Sequence, residues 1–234
     1  MQIKETILRS YLQGKGLDPV IFDELRALSM SPFDKLVEAV RSDKAREHFD
    51  LRDRFEVGGR EYEIIGFDHD RSADDPDAPT VTLMARCLVK PHRLHPGSSP
   101  RGWIDTELRY WLNHDYLHSL PYELTCHMCR TLKTTHSYDG DAVETIDRIF
   151  IPSESELFGS AICAAFESGA RYEAFGTSND RIRTSDWRGA EMYWTRTIYG
   201  ESPTTAVVVD RKGAIGYGGV ARSDIYTPMC FVIA

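Results

Sequence analysis

Apolar positions keep a helical period at the start of the chain and lose it further on, and the change of period separates two kinds of structure. Ile7, Leu8, Tyr11 and Leu12 share one helical face, which Gly14 and Gly16 close. Asp18-Pro19 then supplies an N-cap and a first-turn proline ahead of the stripe Phe22, Leu25, Leu28. Ser31-Pro32 repeats the start signal, and Phe33, Leu36, Val37 and Val40 follow at i, i+3, i+4 and i+7. The spacing predicts three short helices in an N-terminal segment, residues 1–50. That segment is either a packing appendage or an oligomerisation or docking element.

Near Phe55 the pattern turns to strands. Phe55-Glu56-Val57, the pair Gly58-Gly59 and the run from Arg60 to Phe67 predict a β-hairpin. An acidic stretch, residues 68–77, reads as a solvated loop, and residues 80–89 return to strand character. A loop rich in Pro, His, Gly and Ser spans residues 91–100. Residues 105–118 are helical in period, with Leu108, Trp111 and Leu112 on one stripe, and Pro121 opens a second helix expected to run through Cys129. Residues 146–151 form a short apolar strand, and Ser153 with Glu156 has capping-box spacing. Strands are expected at residues 193–197, 205–209, 214–217 and 229–234, with a turn at Asp210-Arg211-Lys212-Gly213. Helices first and strands last predict an α+β fold, with a main domain over residues 51–234.

Composition narrows the partners. The 234 residues are 41% apolar and carry a formal net charge of −8, from 28 basic and 36 acidic side chains. That is enough apolar material for a core. The acidic balance, without a basic run, argues against nucleic acid. Nothing approaches the about 20 apolar residues of a membrane helix, so no membrane partner is expected. Five cysteines are too few and too odd in number for a disulfide scaffold. With no signal-peptide pattern at Met1, the expected location is the cytoplasm, or a larger particle assembled there.

Two clusters are candidates for chemistry. His114 and His118, four apart, precede Cys126 and Cys129, and these residue types suit tetrahedral zinc. The alternative is that the two cysteines lie on a helix and face the core as small apolar residues. The stretch 171–199 is dense in Arg, Trp and Tyr, the residues that dominate recognition surfaces. Arg181, Arg183, Asp186, Trp187, Trp194 and Arg196 are its candidate ligand-binding residues. The competing reading places Tyr193 and Trp194 in the core and pairs Arg196 with an internal carboxylate. The loop Asp68-His69-Asp70-Arg71-Ser72 begins like a calcium loop, but Ala73 stands where its glycine belongs and Pro79 where its bidentate glutamate belongs. Cys163 lies in an apolar run and reads as buried. No Walker loop, nucleophile elbow or metalloprotease motif occurs. No catalytic residue, cofactor or metal is assigned.

Several short segments carry a family resemblance. Thr106-Glu107-Leu108-Arg109-Tyr110-Trp111-Leu112-Asn113 resembles a motif in which Ser or Thr precedes Leu-Arg-x-Trp-Leu-Asn. Ile149-Phe150-Ile151-Pro152-Ser153-Glu154-Ser155-Glu156 resembles a Phe-Leu-Leu-Ser-x-x-Glu element, and Tyr193-Trp194-Thr195-Arg196-Thr197 resembles Tyr-Trp-Leu-Arg-Ser. Over residues 55–234 the order of these elements is similar to a family of bacterial and prophage-encoded domains of unknown function. Its layout resembles C-type-lectin-like domains, a group that includes formylglycine-generating enzymes and phage receptor-binding proteins. The chain departs at Thr227-Pro228-Met229, where the family has Arg-Pro-Ala, and at Thr195, where it has Leu. The calcium triplets of sugar-binding lectins and the paired cysteines of the formylglycine enzymes are missing.

The resemblance implies a loop-rich scaffold with short antiparallel strands that displays a binding face. Within its motif, Trp111 and Leu112 are expected to anchor the helix in the core. Arg109 is expected to pair with a carboxylate, and Asn113 to cap the helix or bond a neighbouring loop. The expected function is a non-catalytic binding or structural module of phage or mobile-element origin. Its ligand would be a glycan or a protein surface, with homo-oligomerisation through residues 1–50. The alternative is an enzyme of unrecognised type on the same scaffold, with zinc at His114, His118, Cys126 and Cys129.

Overall fold

The computed structural model describes residues 29–186 and 188–234. The two helices expected before Ser29, and Trp187, lie outside the described residues.

The third N-terminal helix forms as its spacing predicts. In α1 (Pro32–Arg41) the Ser31 hydroxyl accepts from Asp34 N, and Phe33, Leu36, Val37 and Val40 are all buried. These four side chains, with Ala45 of the short α2 (Ala45–His48), enter the same hydrophobic core as the rest of the chain. The expected hairpin follows as β1 (Arg54–Val57) and β2 (Arg60–Phe67). Val57 sits opposite Arg60, so the turn is Gly58-Gly59 alone. Their φ angles of 59° and 72° are the pair that a two-residue turn between twisted strands requires.

Short antiparallel strands make three main sheets. The first has the order β1-β2-β4-β12, with β4 at Val81–Ala85 and β12 at Cys230–Ile233. The second is β11-β10-β9, from Tyr193–Ile198 (β9), Thr205–Val209 (β10) and Ile215–Gly219 (β11). The third is β3-β5-β6, from Arg71–Ser72 (β3), Thr131–His136 (β5) and Ala142–Asp147 (β6). A two-stranded ribbon, β7 (Thr184–Ser185) with β8 (Gly189–Ala190), completes them. The chain is thus a mixed helix-and-sheet protein, and no helix among the described residues is long and apolar enough to cross a membrane.

The helical stretch that carries the Leu-Arg-x-Trp-Leu-Asn motif is a chain of short pieces. A 3-10 turn, Gly102–Asp105, leads through the N-cap Thr106 into α3 (Glu107–Trp111). A π-turn at Leu112–Tyr116 and a last turn, α4 (Leu117–Ser119), follow. Leu108 and Leu112 are fully buried. The deep tryptophan here is Trp103, whereas Trp111 is half-buried, stacked on His92 at 4.9 Å. Arg109 Nε meets Asp147 at 2.7 Å, and the Asn113 amide donates to Arg109 O and Ile149 O while accepting from the N–H of Arg148 and Ile149.

Other expectations shift. The helix after Pro121 covers only Tyr122–Thr125 (α5), because Cys129 N is drawn to Val232 O on the C-terminal strand. The apolar run 146–151 does not form one strand. Ile146 and Asp147 are the last residues of β6, and Phe150 bridges to Cys230. Ser153 and Glu156 form the expected capping box at the head of α6 (Glu154–Phe158).

Candidate functional site

The third sheet and β9 face each other across a buried polar cluster. Strand β5 alternates, and its inward positions are Thr131, Lys133 and Thr135. Lys133 therefore enters the interior, where its ammonium lies 2.5 Å from Asp70 Oδ1 and 2.6 Å from Glu156 Oε1. Asp70 arrives from the link between β2 and β3. Its other oxygen accepts from the Tyr172 and Thr82 hydroxyls, each at 2.7 Å. Glu156 is placed by the capping box, with Oε2 accepting from Ser153 N at 2.9 Å. Both its oxygens also accept from Arg196 of β9, at 2.5 and 2.7 Å. Arg196 donates further to Ile151 O and Thr135 Oγ1.

Two cations and two anions are thus interlocked, with Lys133 and Arg196 each 2% exposed, Glu156 5% and Asp70 6%. Burial of this depth is tolerated only when charges are paired and hydrogen-bonded. Burial alone raises the Glu156 carboxyl, but Arg196 and Lys133 outweigh it and hold the group well below the usual carboxylate range. Burial lowers the Arg196 guanidinium, and Glu156 reverses that, leaving it more firmly protonated than usual. Burial, reinforced by Asp70 and Glu156, drives the Tyr172 phenol well above its ordinary value, so it stays a donor. Beside the cluster, the His69 ring lies 4.0 Å from the Tyr172 ring, and burial lowers its imidazole against the pull of Asp70 and Glu156. It is neutral at pH 7.

A pocket of about 560 Å³ opens onto this cluster. Its floor includes Asp70, Lys133, Glu156 and Arg196, and its walls include His69, Thr134, Ser168, Gly169 and Ala170. Arg71 and Glu144 stand exposed at the rim, and neither forms an ion pair among the described residues.

Metal chemistry does not fit here. His69, Asp70 and Glu156 place ligand atoms within 4.8 Å of one another. The space between the two carboxylates, however, already holds the Lys133 ammonium. The zinc set is corrected as well: His114, His118, Cys126 and Cys129 form no metal-ligand group among the described residues. His114 lies against the Tyr110 ring, His118 Nδ1 meets His114 O, and Cys126 Sγ meets Glu123 O. Cys129 bonds Thr131, because the helix expected to align the two cysteines ends at Thr125.

The Arg/Trp stretch does not form one outward surface. Arg183 is buried with Nη2 2.5 Å from Glu63 Oε1, and Trp194 is buried with Nε1 donating to His92 O. Arg181 is half-buried, bonded to Gly213 O and lying over the Phe158 ring. Asp186 is exposed. Every residue of β9 is buried, so Trp194 and Arg196 point into the protein whichever face they take. Of the five described candidates, Arg196 alone lines the pocket. Cys163, expected in the core, is half-buried in a surface loop. The buried Glu154 carboxylate holds that loop by accepting from the N–H of Ile162, Cys163 and Ala164.

Asp70, Lys133, Glu156 and Tyr172 were not among the sequence candidates. Asp70 read as loop, and Glu156 as a helix cap and the Glu of the Ser-x-x-Glu element. The available signal was Lys133, the one lysine in the Thr-rich run 131–136.

A family model described as a domain of unknown function (DUF6273) matches residues 79–233. No curated protein and no solved structure matches the chain. The matched span holds Lys133, Glu156, Tyr172 and Arg196, while His69 and Asp70 precede it.

Proposed function

The chain belongs to the DUF6273 family, and on that premise we propose that it is a non-catalytic binding module whose ligand, a glycan, enters the pocket above Asp70, Lys133, Glu156 and Arg196. The observation that carries this reading is a pocket of about 560 Å³ whose charged floor is internally neutral. General acid–base work needs a group poised to exchange a proton near neutral pH. Here the floor charges are bound to one another: Glu156 is held far to the ionised side and Arg196 far to the protonated side.

A neutral polyhydroxylated ligand needs donors and acceptors side by side without net charge. The pocket offers Arg71, Glu144, Thr134, Ser168 and the neutral His69 ring. A lectin-like scaffold belongs to the same proposal. It is supported by the short antiparallel strands and by the closing strand β12, which pairs with β4. The phage or mobile-element origin rests on the motif resemblance alone.

The test is a glycan array with the full chain, followed by calorimetry on any ligand that binds. Arg71→Ala and Glu144→Ala change exposed rim residues, so folding should survive. Each is expected to weaken binding about tenfold, the scale of one lost hydrogen bond to a charged group. Absence of glycan binding, or binding that both variants leave intact, would overturn the reading.

A further inference from the structure

We propose a second site, independent of the first. The groove between α3 and β6 receives the oxyanion of a ligand that also carries a planar ring. The cavity measures about 470 Å³ and is lined by Arg109, Arg130, Arg148, Tyr110, His114 and Ile146, among others. Two carboxylates also line it, and both are already engaged. Asp147 is buried and accepts from Trp103 Nε1, Thr145 Oγ1 and Arg109 Nε. Asp105 pairs with Arg101 at 3.3 Å.

The three guanidiniums are less fully engaged. Arg148 is exposed and forms no ion pair among the described residues, yet its backbone is pinned because its N–H donates to Asn113 Oδ1. Arg109 directs Nε to Asp147, Nη1 to Ile104 O and a long contact of 3.5 Å from Nη2 to Ile146 O. A guanidinium has five N–H groups, so two of them remain for a ligand. Arg130 shares an exposed pair with Asp74. On a protein of net charge −8 the groove thus keeps one guanidinium, that of Arg148, with no carboxylate partner among the described residues, beside the spare N–H groups of Arg109.

The ring requirement comes from the aromatic groups that line the same groove. Tyr110 is 62% exposed, and its ring centroid lies 4.2 Å from that of His114, which also lines the groove. Ile146, itself well exposed, adds an apolar edge. An aromatic surface beside the unpaired Arg148 guanidinium and the spare N–H groups of Arg109 suits a flat anion: the ring covers apolar area while the oxyanion takes planar, two-pronged hydrogen bonds.

Titration of the full chain with phenyl phosphate, benzoate, inorganic phosphate and benzyl alcohol, read by NMR shifts, tests the site. The two aromatic anions should bind saturably, about fivefold tighter than inorganic phosphate, and the comparison between them shows which oxyanion is preferred. Benzyl alcohol should not saturate. Arg148→Gln should weaken phenyl phosphate about tenfold, and Tyr110→Ala should erase the advantage over inorganic phosphate. Both positions are exposed, so an unchanged thermal melt is expected. Arg71→Ala, at the other pocket, should change nothing here. No saturable binding at millimolar concentration, an unaltered affinity in Arg148→Gln, or inorganic phosphate binding as tightly as the aromatic anions would each overturn the proposal.

Discussion

Lys133 is the residue on which the polar interior turns. It is a single cation between two buried carboxylates, with the Phe150 ring 4.3 Å from its ammonium. Removing it leaves the Asp70 carboxylate with no cation, while Glu156 keeps only the Arg196 guanidinium. Lys133→Met keeps the apolar stem and deletes only the charge. It should cost about 3–5 kcal/mol, as breaking one partner of a buried ion pair does, measured by urea unfolding. A loss below about 1 kcal/mol would mean that water or rearrangement compensates the carboxylates. Lys133 was hard to assign from sequence because a lysine in a strand is ordinarily an outward, solvated residue. Its inward direction follows from the register of β5 with β6, which sets Lys133 opposite the buried Thr145.

Asn113 does at the level of elements what Lys133 does at the level of residues. The run from Thr106 to Ser119 is too broken to hold its place by helical hydrogen bonds alone. The Asn113 amide ties it to the segment after β6 through three hydrogen bonds, and a fourth runs back to Arg109 O within the run. Asn113→Ala would strand the N–H groups of Arg148 and Ile149 together with the carbonyl of Ile149. The expected loss is about 2–3 kcal/mol, with faster amide exchange confined to residues 104–119 and 146–150. Exchange that rises uniformly across the protein would contradict a local tie. The roles of Arg109 and Asn113 were legible in the motif, because an Arg and an Asn next to apolar helix anchors have few uses besides internal pairing. The π-turn at Leu112–Tyr116 was not, since a single turn is too short to leave a period of its own in the sequence.

For the molecule as a whole, the buried and ion-paired groups set the response to acid. Glu156 and Asp180 have folded values below their ordinary 4.5 and 3.8, and Asp180 is held at about 2 by Arg52 and the Thr177 contacts against the effect of burial. For such groups the stabilisation is complete above the ordinary value and is lost as pH falls towards the folded one, because the unfolded chain takes the proton first. His69, lowered from 6.5 by burial, acts in the same direction at higher pH. Glu167, raised by burial, works the other way and offsets part of the loss. Urea midpoints should therefore fall gently below about pH 6.5 and steeply below about pH 4.5. Glu156→Gln should be less stable at pH 7 and lose much of the steep limb. A midpoint that stays level down to pH 3 would contradict the assigned ion pairs.

Local rules were enough for the helix after Ser31, the Gly58-Gly59 hairpin, the capping box at Ser153 and the late strands, because each depends on neighbours a few residues away. The direction of long polar side chains lay beyond those rules. Arg183 and Arg196 looked like a recognition surface, and they became interior ligands of Glu63 and Glu156. Asp70 looked solvated and became the partner of Lys133, 63 residues further along the chain. Whether a guanidinium or a carboxylate faces water or a counter-charge depends on which distant strand packs over it. That choice is made when the sheets close on one core, where an unmatched charge would be too costly to keep.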